Sequence, residues 1–370
     1  MHGFFETDIL KDMQRPFYFK IFLVATLLLG INVFAKENSH PVEETEKDLK
    51  SEIKEFIGHH LLDSHDFTLY TVDEEKNEHV GFPLPVILWD NGLKVFSSSK
   101  FHHGESVAEV DGNYYALNHG KIVKTDAEGT ITYDDHHHAT NTKPLDFSIT
   151  KNVVFILLVA ILMFFMFTRM AKSYKNNPLP KGIGRLLEPV VLYIRDDIAI
   201  PNIGKKHYKR YMSYLLTVFF FIWIINLLGL TPLGVNVTNN IAVTLALALL
   251  TYLITTFTAN KNYWKHIFWM PDVPVFMKLV LAPIELLGTI IKPFSLMIRL
   301  YANITAGHVV LMSILGMMFI FKNWIGSPLS FGLAFALSLL ELLVAALQAY
   351  IFTMLSALYF GSAVEEHHDH

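Results

Sequence analysis

The sequence contains no cysteine. Disulfides, thiolate nucleophiles and cysteine-ligated metals are therefore excluded, and thiols give no reading of the redox compartment. Charge is scarce too: 17% of the 370 residues are Asp, Glu, Lys or Arg, and the formal net charge is −4. Without a basic excess the chain has no electrostatic footprint for nucleic acid, so nucleic acid is not expected as a partner. Apolar residues are what the chain has in excess, at 52% with a mean hydropathy of +0.35. One long polar stretch near the start interrupts them, a combination that describes an integral membrane protein with a soluble appendage.

Three regions follow in order. Residues 1–35 hold Lys11, Arg15 and Lys20 ahead of an apolar run from Ile21 to Ala35, the layout of a signal peptide or a retained N-terminal anchor. Residues 36–150 are polar and predict a small extracytoplasmic mixed α/β domain, helical at its start (Glu43, Glu44, Glu46, Lys47, Asp48). Strands are expected later, at Val80-Gly81-Phe82 and Leu93-Lys94-Val95-Phe96. Its histidine clusters, His59-His60, His102-His103 and His136-His137-His138, lack the ligand spacing of a zinc site, so no metal or other cofactor is expected.

Residues 151–370 read as an all-α polytopic membrane domain of about five segments. These are Asn152 to Thr168, Tyr211 to Leu230, Ile241 to Ala259, and two long stretches, Val275 to Phe321 and Pro328 to Ala363. The first long stretch would measure ~70 Å as a helix against a hydrocarbon core of ~30 Å, so it is expected to be broken or steeply tilted, with Pro283 and Pro293 as bending points. Between the first two segments, Leu186, Leu187, Val190, Val191, Tyr193 and Ile194 predict an amphipathic helix on the inner surface. The basic residues around it, Arg169 to Arg210, and Lys261 and Lys265 further on assign these loops to the cytoplasm, which sets the soluble domain and the C-terminus on opposite sides.

The last two segments carry ionisable groups: Glu285, Lys292, Arg299, His308 and Glu341. Each costs ~2.5 to 3.5 kcal/mol at the centre of a span, so such groups face a polar path or a partner. At ~100° per residue Glu285, Lys292, Arg299 and Asn303 form one stripe within about 40°, whereas His308 lies about 180° from Arg299. Glu341, Gln348 and Tyr359 likewise share one face. In an antiparallel pair, Arg299 with Gln348 and His308 with Glu341 give nearly the same index sum, which puts each pair at one depth. Straight helices do not allow Arg299 and His308 both to face the last segment, so one pair is expected to be indirect.

Several motifs carry a resemblance. Arg299-Leu300-Tyr301-Ala302-Asn303-Ile304-Thr305-Ala306-Gly307-His308 and Leu347-Gln348-Ala349-Tyr350-Ile351-Phe352, followed by Tyr359, are similar to the signatures of the F-type ATP synthase subunit a family. Further matches are Pro283-x-Glu285, Asn226 to Pro232, Asn236-Val237-Thr238, and Ile57-Gly58-His59-His60-Leu61. Some bacterial members exchange the acid and the imidazole found here at Glu341 and His308, which preserves one titratable pair. The resemblance does not cover Asp63 to Thr150.

The resemblance implies a non-catalytic, multi-pass subunit of the bacterial inner membrane. Its partners would be a c-subunit ring, a b-subunit stator stalk, the rest of the complex, membrane lipid, and protons, with Na⁺ left open. It also implies that Arg299 separates two half-channels, an outer one at His308 and Glu341 and an inner one at Glu285. Asn303, Gln348, Tyr359 and Lys292 complete the set. A secondary ion-coupled transporter is the alternative, although no duplicated repeat is visible.

Overall fold

The computed structural model describes residues 63–73, 78–104, 106–118, 120–134, 139–176, 182–231, 237–270, 274–320 and 326–365. The expectations for residues 1–35, the helical start of the soluble domain, the Ile57 to Leu61 motif and the His136 to His138 cluster lie outside the described residues.

Three small antiparallel sheets build the soluble region. Strand β1 (Asp66–Asp73) pairs with β2 (Glu78–Pro83), and β3 (Pro85–Trp89) lies between β4 (Leu93–Ser97) and β8 (Leu145–Asp146). The third sheet joins β5 (Ala108–Val110), β6 (Asn113–Asn118) and β7 (Lys121–Thr125). Asp111 and Gly112, at φ 51° and 74°, make the two-residue turn between β5 and β6; positive φ at both positions is what a hairpin of this twist requires. Val86, Leu88 and Phe96 from one sheet meet Phe101, Ala108, Tyr115 and Ile122 in a compact core. Along its edge Tyr115 donates its hydroxyl to Asp90 at 2.9 Å, and Lys124 donates to the same carboxylate at 2.9 Å. The Lys124 and Tyr115 hydrogen bonds hold the Asp90 carboxyl below its ordinary value, while burial and that carboxylate raise Tyr115.

This region is fastened to the first membrane helix. Lys151 donates its amide to the Ser64 carbonyl at 2.9 Å, and Asn152 donates to Asp63 Oδ1 at 3.3 Å, so an upstream carboxylate serves an N-terminal amide of the helix. His65, 4% exposed, binds Asp146 at 3.0 Å, and Phe67 stacks on both Phe82 and Phe155.

Helix α1 (Lys151–Asn176) is followed by α2 (Ile183–Tyr193), a π-helical turn (Ile194–Ala199) and α3 (Ile200–Ile203). Next come α4 (Tyr208–Gly229), α5 (Ile241–Thr258), the short α6 (Lys261–Phe268), α7 (Val275–Ile320) and α8 (Gly326–Val364). Among the described residues, four helices are long and apolar enough to cross a membrane: α1, α4, α5 and α8. The fifth segment, α7, carries the charges; it is one helix of 46 residues with Pro283 and Pro293 inside it. The break allowed by the sequence does not occur, and ~69 Å of helix against a bilayer of ~40 to 45 Å requires a steep tilt. In α2 and the π-helical turn, Leu187, Ile194 and Ile198 are buried while Leu186 is 73% exposed, as an amphipathic helix between protein and lipid demands.

The helical core gathers Val159, Leu215, Phe220, Leu300, Phe352 and Phe360, with Tyr211 stacked on Phe360 at 4.5 Å. Two devices pin the C-terminal end of α8. Asn260 donates its amide to Ala363 O at 2.8 Å and its side chain to Val364 O at 3.0 Å, satisfying carbonyls the helix end leaves open. Gly361 passes so close to the Asn202 carbonyl that no Cβ fits between them.

Candidate functional site

Helices α7 and α8 pack along each other, and three contacts define their register. Lys292 Nζ lies 5.7 Å from the centroid of the Tyr359 ring. One turn beyond Arg299, Asn303 Nδ2 donates to Gln348 Oε1 at 3.0 Å, and Gln348 is 2% exposed. Further along, Gly307 faces Glu341: a Cβ there would sit 2.7 Å from Oε1. The missing side chain of Gly307 is therefore the room the carboxyl group occupies.

Two small cavities, each with polar side chains set in a mainly apolar lining, open along α7, on either side of Arg299 in the helix. The first is lined by Thr251 and Thr255 of α5, Thr289 and Lys292 of α7, Tyr359 of α8, and Tyr263 of α6. Glu285, half-buried, lies within electrostatic reach of Tyr263, whose hydroxyl is raised by burial and by that charge. The second cavity is lined by Asn303 and His308 of α7, Glu341 of α8, and Asn226 of α4. Both Glu341 carboxyl oxygens are buried without a hydrogen bond among the described residues, as is Asn226 Nδ2. Thr238 donates to Asn226 Oδ1 at 3.0 Å, which turns the amide donor toward the cavity. An acceptor group and a donor group, neither hydrogen-bonded among the described residues, thus meet in one cavity with room for a water.

Arg299 is half-buried, and no acid among the described residues comes within ion-pair distance of it. A guanidinium keeps its charge in any protein setting. This cation lies on α7 between the buried Met297 and Leu300.

The eight residues singled out by sequence thus fall on two adjoining helices, and five of them, Lys292, Asn303, His308, Glu341 and Tyr359, line one or the other cavity. Thr251, Thr255 and Tyr263 were not singled out, and Asn226 and Thr238 entered only within family-like motifs. The signal for the threonines was Thr251 and Thr255 one turn apart in an otherwise apolar helix. Each donates its hydroxyl to the carbonyl four residues back, at 3.0 and 2.8 Å, which is how a membrane helix tolerates them. No group of three or more metal-ligating side chains occurs among the described residues.

Residues 153–361 match the family model for the ATP synthase A chain. The chain belongs to that family. It is similar to an ATP synthase subunit a of Chloroherpeton thalassium, 42% identical over 233 residues that cover 61% of this chain and 69% of the relative. An ATP synthase subunit a of Myxococcus xanthus is 42% identical over 232 residues, covering 61% and 76%. A subunit a of Chlorobaculum tepidum is 44% identical over 234 residues, covering 61% and 66%. Residues 56–147 match a separate model described as a domain of unknown function. Family membership and the apolar helices make this a multi-pass membrane protein, a proton-translocating subunit of the ATP synthase A chain type and not itself catalytic.

Proposed function

We propose that this subunit forms two aqueous half-channels that deliver protons to, and collect them from, carboxylates on a rotating c-subunit ring, with Arg299 as the barrier between them. The carrying observation is that Arg299, with no acid at ion-pair distance among the described residues, stands on α7 between two separate cavities that carry polar side chains. Lys292 and His308, one from each cavity, are sixteen positions apart on the helix, or about 24 Å. A single cation at that position blocks a direct proton leak and favours an ionised ring carboxylate over a protonated one.

The outer half-channel uses the Asn226, His308 and Glu341 cavity; protons reach a ring carboxylate there and neutralise it for passage through lipid. After almost a full turn the carboxyl meets the inner cavity of Thr289, Lys292 and Tyr359, loses its proton toward Glu285, and is held as a carboxylate by Arg299. Asn303 and Gln348 fix the helix contact that aims Arg299.

In this reading residues 36–150 are an extracytoplasmic domain on the bacterial inner membrane. The membrane domain runs from 151 to 370, its basic loops and C-terminus are cytoplasmic, and a b-subunit stalk completes the stator. Arg299→Ala is expected to abolish coupled ATP synthesis in inverted vesicles while the subunit still inserts. ATP-driven proton pumping at the unaltered rate would overturn the assignment.

A further inference from the structure

The strands β3, β4 and β8 present a face that a solvated sheet does not carry. Inward, Val86, Leu88 and Phe96 fill the core. Outward, Leu93, Trp89 and Leu145 align in one row by strand register, and Val95, Ile87 and Phe147 in the next. Trp89 is 54% exposed, Leu93 62%, Val95 59%, Leu145 62% and Phe147 64%, with Ile87 partly buried among them. The outer face of a two-layer β domain is normally polar, and the unbroken apolar run Pro85-Val86-Ile87-Leu88-Trp89 is the pattern of a strand covered on both sides. The charged side chains of these strands serve elsewhere: Lys94 donates to the Val110 carbonyl, and Asp146 accepts from His65.

We propose that this face rests in the headgroup layer of the bilayer, so that the soluble domain is itself a membrane-surface element. Continuity with the lipid-facing surface of α1 is the first argument. Phe147 donates to Ile87 O at 2.8 Å and Ile149 to Pro85 O at 3.1 Å, so the strand ladder continues to within two residues of Lys151, where α1 begins. Helix α1 then exposes Leu157, Leu158 and Ile161. Extended chain puts Phe147 no more than about 13 Å and Leu145 no more than about 20 Å from that start. An inclined sheet at that distance meets a headgroup layer ~5 to 8 Å thick.

Composition is the second argument. A charge-free face of Trp, Phe, Leu, Ile and Val is what settles ~5 to 10 Å into the boundary of headgroups and acyl chains. Size is the third. Five side chains of this kind offer roughly 500 Å², short of the ~800 Å² per partner of a stable protein interface, which disfavours a second copy of the chain as the occupant.

The absence of cysteine allows a direct test. Single Val95→Cys, Leu145→Cys and Glu128→Cys variants of the full chain, labelled with an environment-sensitive fluorophore, are reconstituted into phosphatidylcholine vesicles. Brominated acyl chains are expected to remove most of the emission at positions 95 and 145, and aqueous iodide little of it, with the reverse at position 128. Equal iodide quenching at all three positions would overturn the proposal by showing a solvated face. Shielding of 95 and 145 from both quenchers would overturn it in favour of a protein occupant, and cross-linking between two copies through position 145 would identify that occupant as the chain itself.

Discussion

Asn303 and Gln348 are joined across α7 and α8 by a 3.0 Å hydrogen bond one helical turn from Arg299. Gln348 is almost fully buried, so removing Asn303 takes the donor from a side-chain oxygen that water does not reach, and removing Gln348 frees the Asn303 amide that it anchors. Asn303→Ala and Gln348→Ala are each expected to lower ATP-driven proton pumping, and the double variant is expected to be no worse than the poorer single one. The coupling should be about 1 kcal/mol, or five- to tenfold in rate if Arg299 is aimed through this contact. Additive losses in pumping assays with a fluorescent pH probe would show two independent roles.

Gly307 sets the position of the Glu341 carboxyl. An alanine there would bring its methyl to 2.7 Å from Oε1 and 3.3 Å from Cγ, so the acid has to move. Gly307→Ala is expected to slow proton transport about tenfold or more, because misplacing a group that transfers protons by about 1 Å has that scale of effect. Shortening the acid by one methylene, in Gly307→Ala with Glu341→Asp, should recover part of the rate. Failure of the double variant to exceed Gly307→Ala would mean that the methyl acts on something other than the carboxyl group.

The ring of Tyr359, rather than its hydroxyl, carries the contact with Lys292. Tyr359→Phe keeps the aromatic face and should retain most of the transport. Tyr359→Ala should lose more, since about 0.5 to 1 kcal/mol of cation–π attraction disappears along with the packing. Passive proton flux through vesicles stripped of the catalytic sector distinguishes them; equal losses would assign the role to the hydroxyl.

Arg299, Lys292 and Glu341 were legible in the sequence because an ionisable group in an apolar run is costly, and cost draws attention to a residue without any knowledge of its neighbours. Depth was legible as well, since antiparallel helices fix it by counting. The pairing was not: Gln348 accepts from Asn303 and Gly307 leaves room for Glu341, contacts that counting along straight helices does not specify. Asn226 and Thr238 drew notice only through family-like motifs, because a neutral amide and a hydroxyl near a helix end raise no such alarm. In the soluble region the strand pieces Val80 to Phe82 and Leu93 to Phe96 announced themselves by composition. The pairing of β3 with β8, more than fifty residues apart in sequence, did not, since register between distant strands is set by packing.

Acid should loosen the soluble domain through Asp90. Its carboxyl is held below the ordinary 3.8 first by Lys124 and then by Tyr115. A group depressed on folding stabilises the fold above its unfolded value, and that stability is lost as pH falls below 3.8 toward the folded value. Amide exchange across β6 and β7 is therefore expected to accelerate below that pH. Asp90→Asn should exchange faster at neutral pH, by about 1 kcal/mol of protection, and lose less on acidification. A variant with the same acid sensitivity as the unaltered chain would move the effect to another carboxylate.

The helical glycines divide into two kinds, and the division predicts which tolerate a methyl group. Nothing lies within 4 Å of a Cβ built on Gly288 or Gly332, so alanine there gains the ~0.5 to 1 kcal/mol of helix propensity that glycine forgoes and should leave insertion and pumping unchanged. At Gly361 the obstacle is the backbone carbonyl of Asn202, and it cannot swing aside. Asn202 is itself anchored, its side chain donating to Ile198 O at 2.7 Å in the π-helical turn. Gly361→Ala therefore has to separate α8 from α3, and with it the end of α8 that Asn260 caps. Overpacking of this kind costs about 1 to 3 kcal/mol, and its consequence should appear in the amount of folded subunit recovered before it appears in transport. Equal yields from Gly288→Ala, Gly332→Ala and Gly361→Ala would show that α3 and α8 are free to part, and that the close approach at Asn202 does not fix the position of α8.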